Sequence, residues 1–144
     1  MLEGMKKMNR SSMRELAFKM VYALEVQKEY DKEQLDLFIE DNEIEDNQAI
    51  EYLNSIYNGI EENKDEILEM ISKNLKKEWT IDRISKINLA ILKIAIFEIK
   101  YQELPFKVAI NEAVELAKKY GDENSQKFVN GILATIISEN NLNS

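Results

Sequence analysis

The sequence predicts an all-α protein built as one compact domain, and three observations support this fold class. First, the chain has 144 residues but only 4 glycines and 1 proline, which leaves little material for the many turns of an all-β fold. Second, apolar residues recur at helical spacing along most of the chain. Third, residues 81–101 are apolar on every side, which is typical of a helix at the centre of a fold.

Three helices are predicted in the N-terminal part of the chain. The first runs from Ser12 to about Glu25, because Ser12 and Glu15 form a capping box ahead of an apolar face. A short second helix follows the capping residue Asp31, and residues 40–47 form a polar, acidic connection. The third helix is marked by the apolar stripe Ile50, Leu53, Ile56, Tyr57 and Ile60.

Four further helices complete the domain. Residues 63–66 repeat the cap signature at the start of the fourth helix. The fifth, from Ile81 to Tyr101, is the predicted core helix, since about twenty residues without a turn signal are too long for a strand. Pro105 suits the opening of the sixth helix and Gly121 its end. The apolar residues of the seventh are Phe128, Val129, Ile132, Leu133, Ile136 and Ile137.

The ends of the chain and two glycines complete the organisation. Residues 1–8 are predicted to be a flexible basic segment, residues 9–140 the helical domain, and residues 141–144 a disordered tail. Gly59 and Gly131 each follow an asparagine, a pair that signals a hairpin turn in other contexts. Both lie within helical periodicity here, so we expect each glycine to let a neighbouring helix approach closely.

The absence of two residue types excludes most enzyme chemistries. The chain contains no cysteine and no histidine, which excludes thiol nucleophiles, Ser-His-Asp triads and metal sites built from these residues. We therefore expect no enzymatic activity, no cofactor and no metal. No stretch approaches the roughly 20 apolar residues of a membrane span, and the N-terminus lacks the apolar segment of a secretory signal. We expect no membrane association and a cytoplasmic protein.

The net charge of −8 is unevenly distributed along the chain. Residues 25–70 carry 16 acidic and 3 basic residues, a net charge of −13, whereas both flanking parts are slightly basic. An anionic partner would therefore approach the two ends of the chain rather than its middle. Solvated helix faces would give the same distribution, so charge alone leaves both interpretations open.

Several motifs are more specific than composition. Two of them, Val108-Ala-Ile-Asn-Glu-Ala113 and Lys127-Phe-Val-Asn-Gly131, lie one after the other near the end of the chain. Together with Arg14-Glu-Leu-Ala17, Trp79-Thr-Ile-Asp-Arg83 and Ala90-Ile-Leu-Lys-Ile-Ala-Ile-Phe-Glu98, they resemble the NusB family of bacterial transcription antitermination factors. The resemblance covers residues 8–137, with the motifs in the order of the family.

The resemblance implies a bundle of about seven helices that binds partners and performs no chemistry. Family members bind boxA, a short single-stranded RNA element of ribosomal RNA operon transcripts. They do so with NusE, a ribosomal protein of the small subunit, and the pair joins an antitermination complex on RNA polymerase. The alternative is a helical protein-interaction module with little RNA affinity of its own, which the net charge of −8 keeps open.

The resemblance also implies RNA contacts on the first helix. In the family its N-terminal segment is rich in arginine and contacts RNA phosphates, and Arg10 and Arg14 match two of those positions. Ser11 and Ser12 stand where relatives often have arginine, which weakens this surface. Tyr22 lies about two turns beyond Arg14, on the same predicted side. A ring beside cations suits single-stranded RNA, although an ordinary half-buried tyrosine is the alternative.

A second implied RNA strip joins the sixth and seventh helices. It consists of Lys118, Asn124, Lys127 and Phe128. Lysine can bind phosphate and an amide can read a base edge, whereas Phe128 also fits the buried stripe, and core packing is its favoured role. The resemblance places the protein-partner surface around Lys86 and Asn88.

Four polar residues within apolar helices are assigned structural rather than catalytic roles. They are Glu98, Asn111, Glu112 and Asn130. With no histidine or nucleophile beside them, a catalytic role is disfavoured, and a buried polar side chain must find a hydrogen-bond partner. We expect such partners to lie on neighbouring helices.

Overall fold

Seven α-helices and one 3-10 turn make up the computed structural model of the chain, which describes residues 8–28, 30–77 and 79–139 and contains no strand in those ranges. The helices are α1 (Arg10–Gln27), α2 (Lys32–Asp41), α3 (Asn47–Glu62), α4 (Lys64–Lys73), α5 (Lys86–Tyr101), α6 (Phe106–Tyr120) and α7 (Ser125–Glu139), and the 3-10 turn is Ile81–Arg83. The predicted all-α fold with seven helices is confirmed.

Most of the predicted flexible residues at the two chain ends lie outside the residues that the structure describes. Residues 1–7 and 141–144, predicted to be flexible, lie outside the described residues. Met8, also predicted to belong to the flexible segment, is half-buried and packs against the core. Its backbone N–H donates a hydrogen bond to the Asp46 carboxylate (3.1 Å).

Helix α5 is the centre of the fold. Every residue from Leu89 to Ile99 is buried, and α5 packs against α1, α3, α4, α6 and α7. Two of these buried residues are charged, and each is paired with α1: Lys93 with Glu25, and Glu98 with Arg14. The predicted core helix is therefore confirmed over its buried part.

The first residues of α5 differ from the prediction. The helix begins at Lys86 rather than Ile81, because the Ser85 hydroxyl accepts a hydrogen bond from the N–H of Asn88 (3.0 Å) and caps the helix there. The preceding Ile81–Arg83 form a 3-10 turn. Apolar periodicity continues through this segment because Ile84 is buried beside the turn, so periodicity alone could not locate the break.

The predicted cap of α1 is wrong, and the predicted cap of α4 has the right position but not the expected side-chain bond. The cap of α1 is Asn9, whose side chain accepts a hydrogen bond from the N–H of Ser12 (2.8 Å), so Ser12 lies inside the helix. Asn63 is the N-cap residue of α4, as predicted, but its side chain makes no capping bond to that helix; its amide instead donates to the carbonyl of Gly59 in α3 (2.8 Å). More than one polar residue near the start of a helix has a side chain that can cap it. Which of them does so depends on where the backbone enters the helix, and this is seen only in the structure.

The two glycines of interest have different surroundings. A Cβ atom built on Gly59 would lie 2.0 Å from the ring of Phe97, so α3 and α5 can pack at this distance only without a side chain there. Nothing lies within 4 Å of a Cβ built on Gly131, which faces open space. The predicted close approach is confirmed at Gly59 and wrong at Gly131.

Candidate nucleic-acid interface

Arg14 is buried rather than exposed. Only 4% of the residue is accessible, and its guanidinium donates two hydrogen bonds to the Glu98 carboxylate (2.8 and 3.1 Å) and lies 3.4 Å from Glu112. Burial disfavours the charged guanidinium, but the hydrogen bond and charge of Glu98 outweigh this effect and raise the pKa of Arg14. The predicted phosphate contact of Arg14 is not supported, because its donors point into the core.

Glu98 is the centre of a buried polar network. Besides Arg14, it accepts a hydrogen bond from the hydroxyl of Tyr52 in α3 (2.9 Å). Burial, and then the negative charge of Glu98, raise the pKa of Tyr52 above its ordinary value. The second acceptor near Arg14, Glu112, receives a hydrogen bond from the Ser11 hydroxyl (2.9 Å). The network therefore joins α1, α3, α5 and α6, in agreement with the structural roles predicted for Glu98 and Glu112.

Two other polar residues do not have the predicted surroundings. Asn111 and Asn130 are exposed on α6 and α7, so neither bridges helices inside the core. Both side chains can therefore meet a binding partner. Apolar neighbours in the sequence indicated a buried position, but each asparagine lies on the outward side of its helix.

Arg10 lies at the exposed start of α1. Its guanidinium carbon is 5.0 Å from the centre of the Tyr52 ring, a cation–π arrangement. The predicted position of Arg10 at the surface agrees with its exposure. A phosphate can reach this guanidinium without disturbing the core.

Tyr22 does not lie on the same side of α1 as Arg14. Eight residues rotate a helix by about 80° beyond two full turns, and this difference separates a buried side chain from an exposed one. Tyr22 is 36% accessible and stacks on Phe18 (6.1 Å between ring centres), which in turn contacts Tyr120 (4.9 Å). One part of the Tyr22 ring is thus open to a base.

Lys118 and Lys119 lie in the exposed last turn of α6. They line a groove between α1 and α6 of about 480 Å³. Lys119 pairs with Glu15 of α1 (2.6 Å), which also accepts a hydrogen bond from Tyr120. The hydrogen bonds from Lys119 and Tyr120 lower the pKa of Glu15. Lys118 is the lysine that the groove leaves to an anion, although Glu112 and Glu115 also line it.

The start of α7 presents two of the predicted residues. Asn124 and Lys127 are exposed, whereas Phe128 is half-buried and packs against the core, in agreement with its favoured interpretation. The Asp122 carboxylate accepts a hydrogen bond from the N–H of Asn124 (2.8 Å). That N–H is therefore occupied, and an anion would meet the side chains of Asn124 and Lys127 instead.

The predicted partner residues lie at the start of α5. Lys86 is exposed and Asn88 is half-buried, and the Oδ1 atom of Asn88 is buried without a hydrogen-bond partner within the described ranges. Asn74, at the end of α4, has an Oδ1 atom in the same situation. Trp79 is 48% accessible in the connection between these two helices.

Both the sequence and the fold match known proteins. The NusB family model matches residues 11–138. The chain belongs to the NusB family. A curated relative, transcription antitermination protein NusB of Clostridium novyi (strain NT), is 46% identical over 132 residues, which are 90% of this chain and 98% of the relative.

Solved structures of NusB proteins have the same fold. T. maritima NusB superimposes with a TM-score of 0.84 at 36% identity, covering 93% of this chain and 94% of that one. A crystal structure of antitermination factors NusB and NusE in complex with double-stranded RNA matches with a TM-score of 0.81 at 27% identity, covering 90% and 96%. Membership of the NusB family confirms the predicted resemblance and makes this chain a non-enzymatic factor.

Two absences concern the described residues alone. No group of acidic side chains there could hold a metal ion, and none of those helices is both long enough and apolar enough to cross a bilayer.

The sequence did not indicate a role for Tyr52, Asn74 or the exposed Trp79. Tyr52 could have been found, because it lies four residues before Ile56 and one turn of α3 brings the two to the same side, and a buried tyrosine must direct its hydroxyl to an acceptor.

Proposed function

We propose that this NusB-family chain is a transcription antitermination factor that binds boxA-type single-stranded RNA of ribosomal RNA operon transcripts. It acts with ribosomal protein NusE and joins the antitermination complex on RNA polymerase, in the cytoplasm. Family membership carries the proposal, because a 46% identical relative is a transcription antitermination protein. The related complex of NusB, NusE and RNA supports both partners.

The exposed cations of α1, α6 and α7 are the proposed phosphate contacts. They are Arg10, Lys118 and Lys127, all accessible to solvent. Asn124 is the proposed reader of a base edge, since its amide offers both donor and acceptor. Tyr22 is the proposed stacking surface. Arg14 supports this surface from below by holding α1 against α5 and α6.

The start of α5 is the proposed NusE surface. Lys86 offers an exposed charge to a protein partner, and Asn88 lies half-buried beside it in the first turn of α5. Trp79 adds an aromatic side chain of the type that dominates binding energy in interfaces.

RNA binding by the chain alone is expected to be weak. Three phosphate contacts to a single strand imply a log–log salt slope of about −2, and the −13 charge of residues 25–70 opposes a polyanion. A basic protein partner beside Arg10, Lys118 and Lys127 would add further phosphate contacts, so RNA and NusE should bind with positive coupling. Linkage then requires RNA to tighten NusE binding by the same factor.

The test is a titration of ribosomal leader RNA with and without NusE, at two salt concentrations. Arg10→Ala and Lys127→Ala should each weaken binding and reduce the salt slope by about 0.7. The matched control is Lys32→Ala, which removes an exposed lysine of the acidic helix α2 and should leave RNA binding unchanged. Asn124→Ala should change the preference between RNA sequences.

The rival function is a protein-interaction module with little RNA affinity. The burial of Arg14 favours it, because one predicted cation is lost from the surface. Equal RNA affinity with and without NusE, together with unchanged binding by the Arg10 and Lys127 variants, would establish the rival.

A further inference from the structure

A second groove lies beside the start of α1, on the side away from Lys118. Its volume is about 510 Å³, and it is an open groove lined by α1, α3 and the residue that follows α5. The residues that line it are Arg10, Met13, Gln48, Glu51, Tyr52, Ser55 and Gln102. Arg10 and Met13 occupy nearly the opposite side of α1 from Ser11 and Glu15, which line the groove against α6.

The lining has the chemistry of a nucleobase site. Met13 and Tyr52 are the buried floor of the groove, and Gln48 and Gln102 are its exposed amides. Each amide has one acceptor and two donor hydrogens, which match the mixed donors and acceptors of a base edge. Arg10 is exposed and lines the groove beside Tyr52, where its planar guanidinium can stack on a base or bind its phosphate.

One acidic residue lines the groove and constrains the orientation of a ligand. Glu51 is exposed on α3, so a phosphate beside it would be repelled. A base amino group can donate to this carboxylate. The phosphate therefore belongs at the Arg10 end and the base among the amides.

The floor of the groove is preorganised. Tyr52 is fixed from below by the hydrogen bond to Glu98 (2.9 Å), and Glu98 is fixed by Arg14 (2.8 Å). The Arg10 guanidinium rests 5.0 Å above the same ring. A site whose floor is already ordered loses little conformational entropy when a ligand binds.

We propose that this groove binds one nucleotide of the RNA, with its base between Gln48 and Gln102 and its phosphate on Arg10. This inference rests on the proposed RNA-binding function and adds a subsite to it. The strand then crosses the start of α1, and Arg10 lies between the two groups of contacts. RNA that reaches both grooves must span a helix about 10 Å wide.

The first experiment compares amide variants with a matched control in RNA titrations with NusE present. Gln48→Ala and Gln102→Ala should each weaken binding by about 2- to 10-fold, the range of one net hydrogen bond. Because glutamine is uncharged, the salt slope should stay the same, whereas Arg10→Ala reduces it by about 0.7. Gln27→Ala removes an exposed glutamine at the other end of α1 and should bind as the parent does.

The second experiment uses the absence of cysteine from the chain. Gln102→Cys creates a single thiol in the groove, and bound RNA should slow its alkylation by iodoacetamide. Asp36→Cys, on exposed α2, should be alkylated at the same rate with and without RNA. Urea unfolding of each variant verifies that it is folded.

The outcomes separate the subsite from the proposed function. In one outcome, Lys127→Ala weakens RNA binding, both glutamine variants bind RNA as the parent does, and RNA does not protect the introduced thiol of Gln102→Cys. The groove then binds no nucleotide, and the proposed function stands. If the parent binds no RNA even with NusE, the RNA-binding function fails and the subsite with it. Weaker binding by the glutamine variants with an unchanged slope, and protection of the thiol, establish the subsite.

Discussion

Replacing Arg14 with methionine tests whether this residue belongs to the core or to the RNA surface. Methionine keeps much of the length and the apolar stem but removes the guanidinium. Glu98, 5% accessible, then retains only the hydrogen bond from Tyr52. Removing one partner of a buried ion pair costs about 3–5 kcal/mol, because the remaining charge is left uncompensated.

The assay is urea unfolding followed by circular dichroism. With a slope of about 2 kcal/mol per M, a loss of 3–5 kcal/mol lowers the midpoint by about 1.5–2.5 M. Arg83→Met, at an exposed arginine of the 3-10 turn, is the matched control and should change stability by less than about 0.5 kcal/mol. Combining Arg14→Met with Glu98→Gln should recover part of the loss, since position 98 then no longer carries an uncompensated buried charge.

One result would refute this reasoning. If Arg14→Met costs less than about 1 kcal/mol, below the range for a broken buried pair, and weakens RNA binding as much as Arg10→Ala, then Arg14 is a surface contact. The buried network would then not hold α1 in place.

Three further predictions concern packing and pH. Gly59→Ala should destabilise the fold by about 1–3 kcal/mol, because its Cβ would overlap the Phe97 ring, whereas Gly131→Ala should stabilise it by about 0.5–1 kcal/mol; urea midpoints measure both, and equal shifts would contradict the packing. Ile94→Ala should cost about 2–5 kcal/mol in the same assay, and a loss below 1 kcal/mol would place Ile94 outside the core. The pKa of Glu15 is lowered in the fold, so the stabilisation by its carboxylate is present above about pH 4.5 and is lost as the pH falls further. Glu15→Gln should therefore lose less stability than the parent protein between pH 5 and 3.5. Equal losses in the two proteins would refute the role of the hydrogen bonds to Glu15.

The helices and the fold class could be predicted from the sequence. The apolar residues of α3 and α5 recur at intervals set by the helix itself. A segment of one helix length therefore contains all the information that predicts it. The residues of the RNA surface came from the family resemblance, and the exposure of Arg10, Lys118, Asn124 and Lys127 agrees with that prediction. Their roles in binding remain predictions.

The position of Arg14 could not be predicted. An arginine in the first turns of a helix is normally exposed. Ala17, Phe18 and Val21 place apolar residues on its side of α1, but nothing in that segment shows the acceptor that its guanidinium needs in the core. Its partner Glu98 is 84 residues away, and the two meet only because α1 packs across α5. The same holds for the groove of Gln48 and Gln102, whose residues come from separate elements.

The sequence alone therefore determined where helices form, which family the motifs resemble and which chemistries are absent, because each depends on residue types and on spacings within one segment. Only the tertiary structure decided which charged side chains are buried, which glycine faces a neighbour and which amides share a groove. Those properties depend on distances between segments far apart in the chain, and these distances are set by the packing of α1, α3, α4, α6 and α7 around α5.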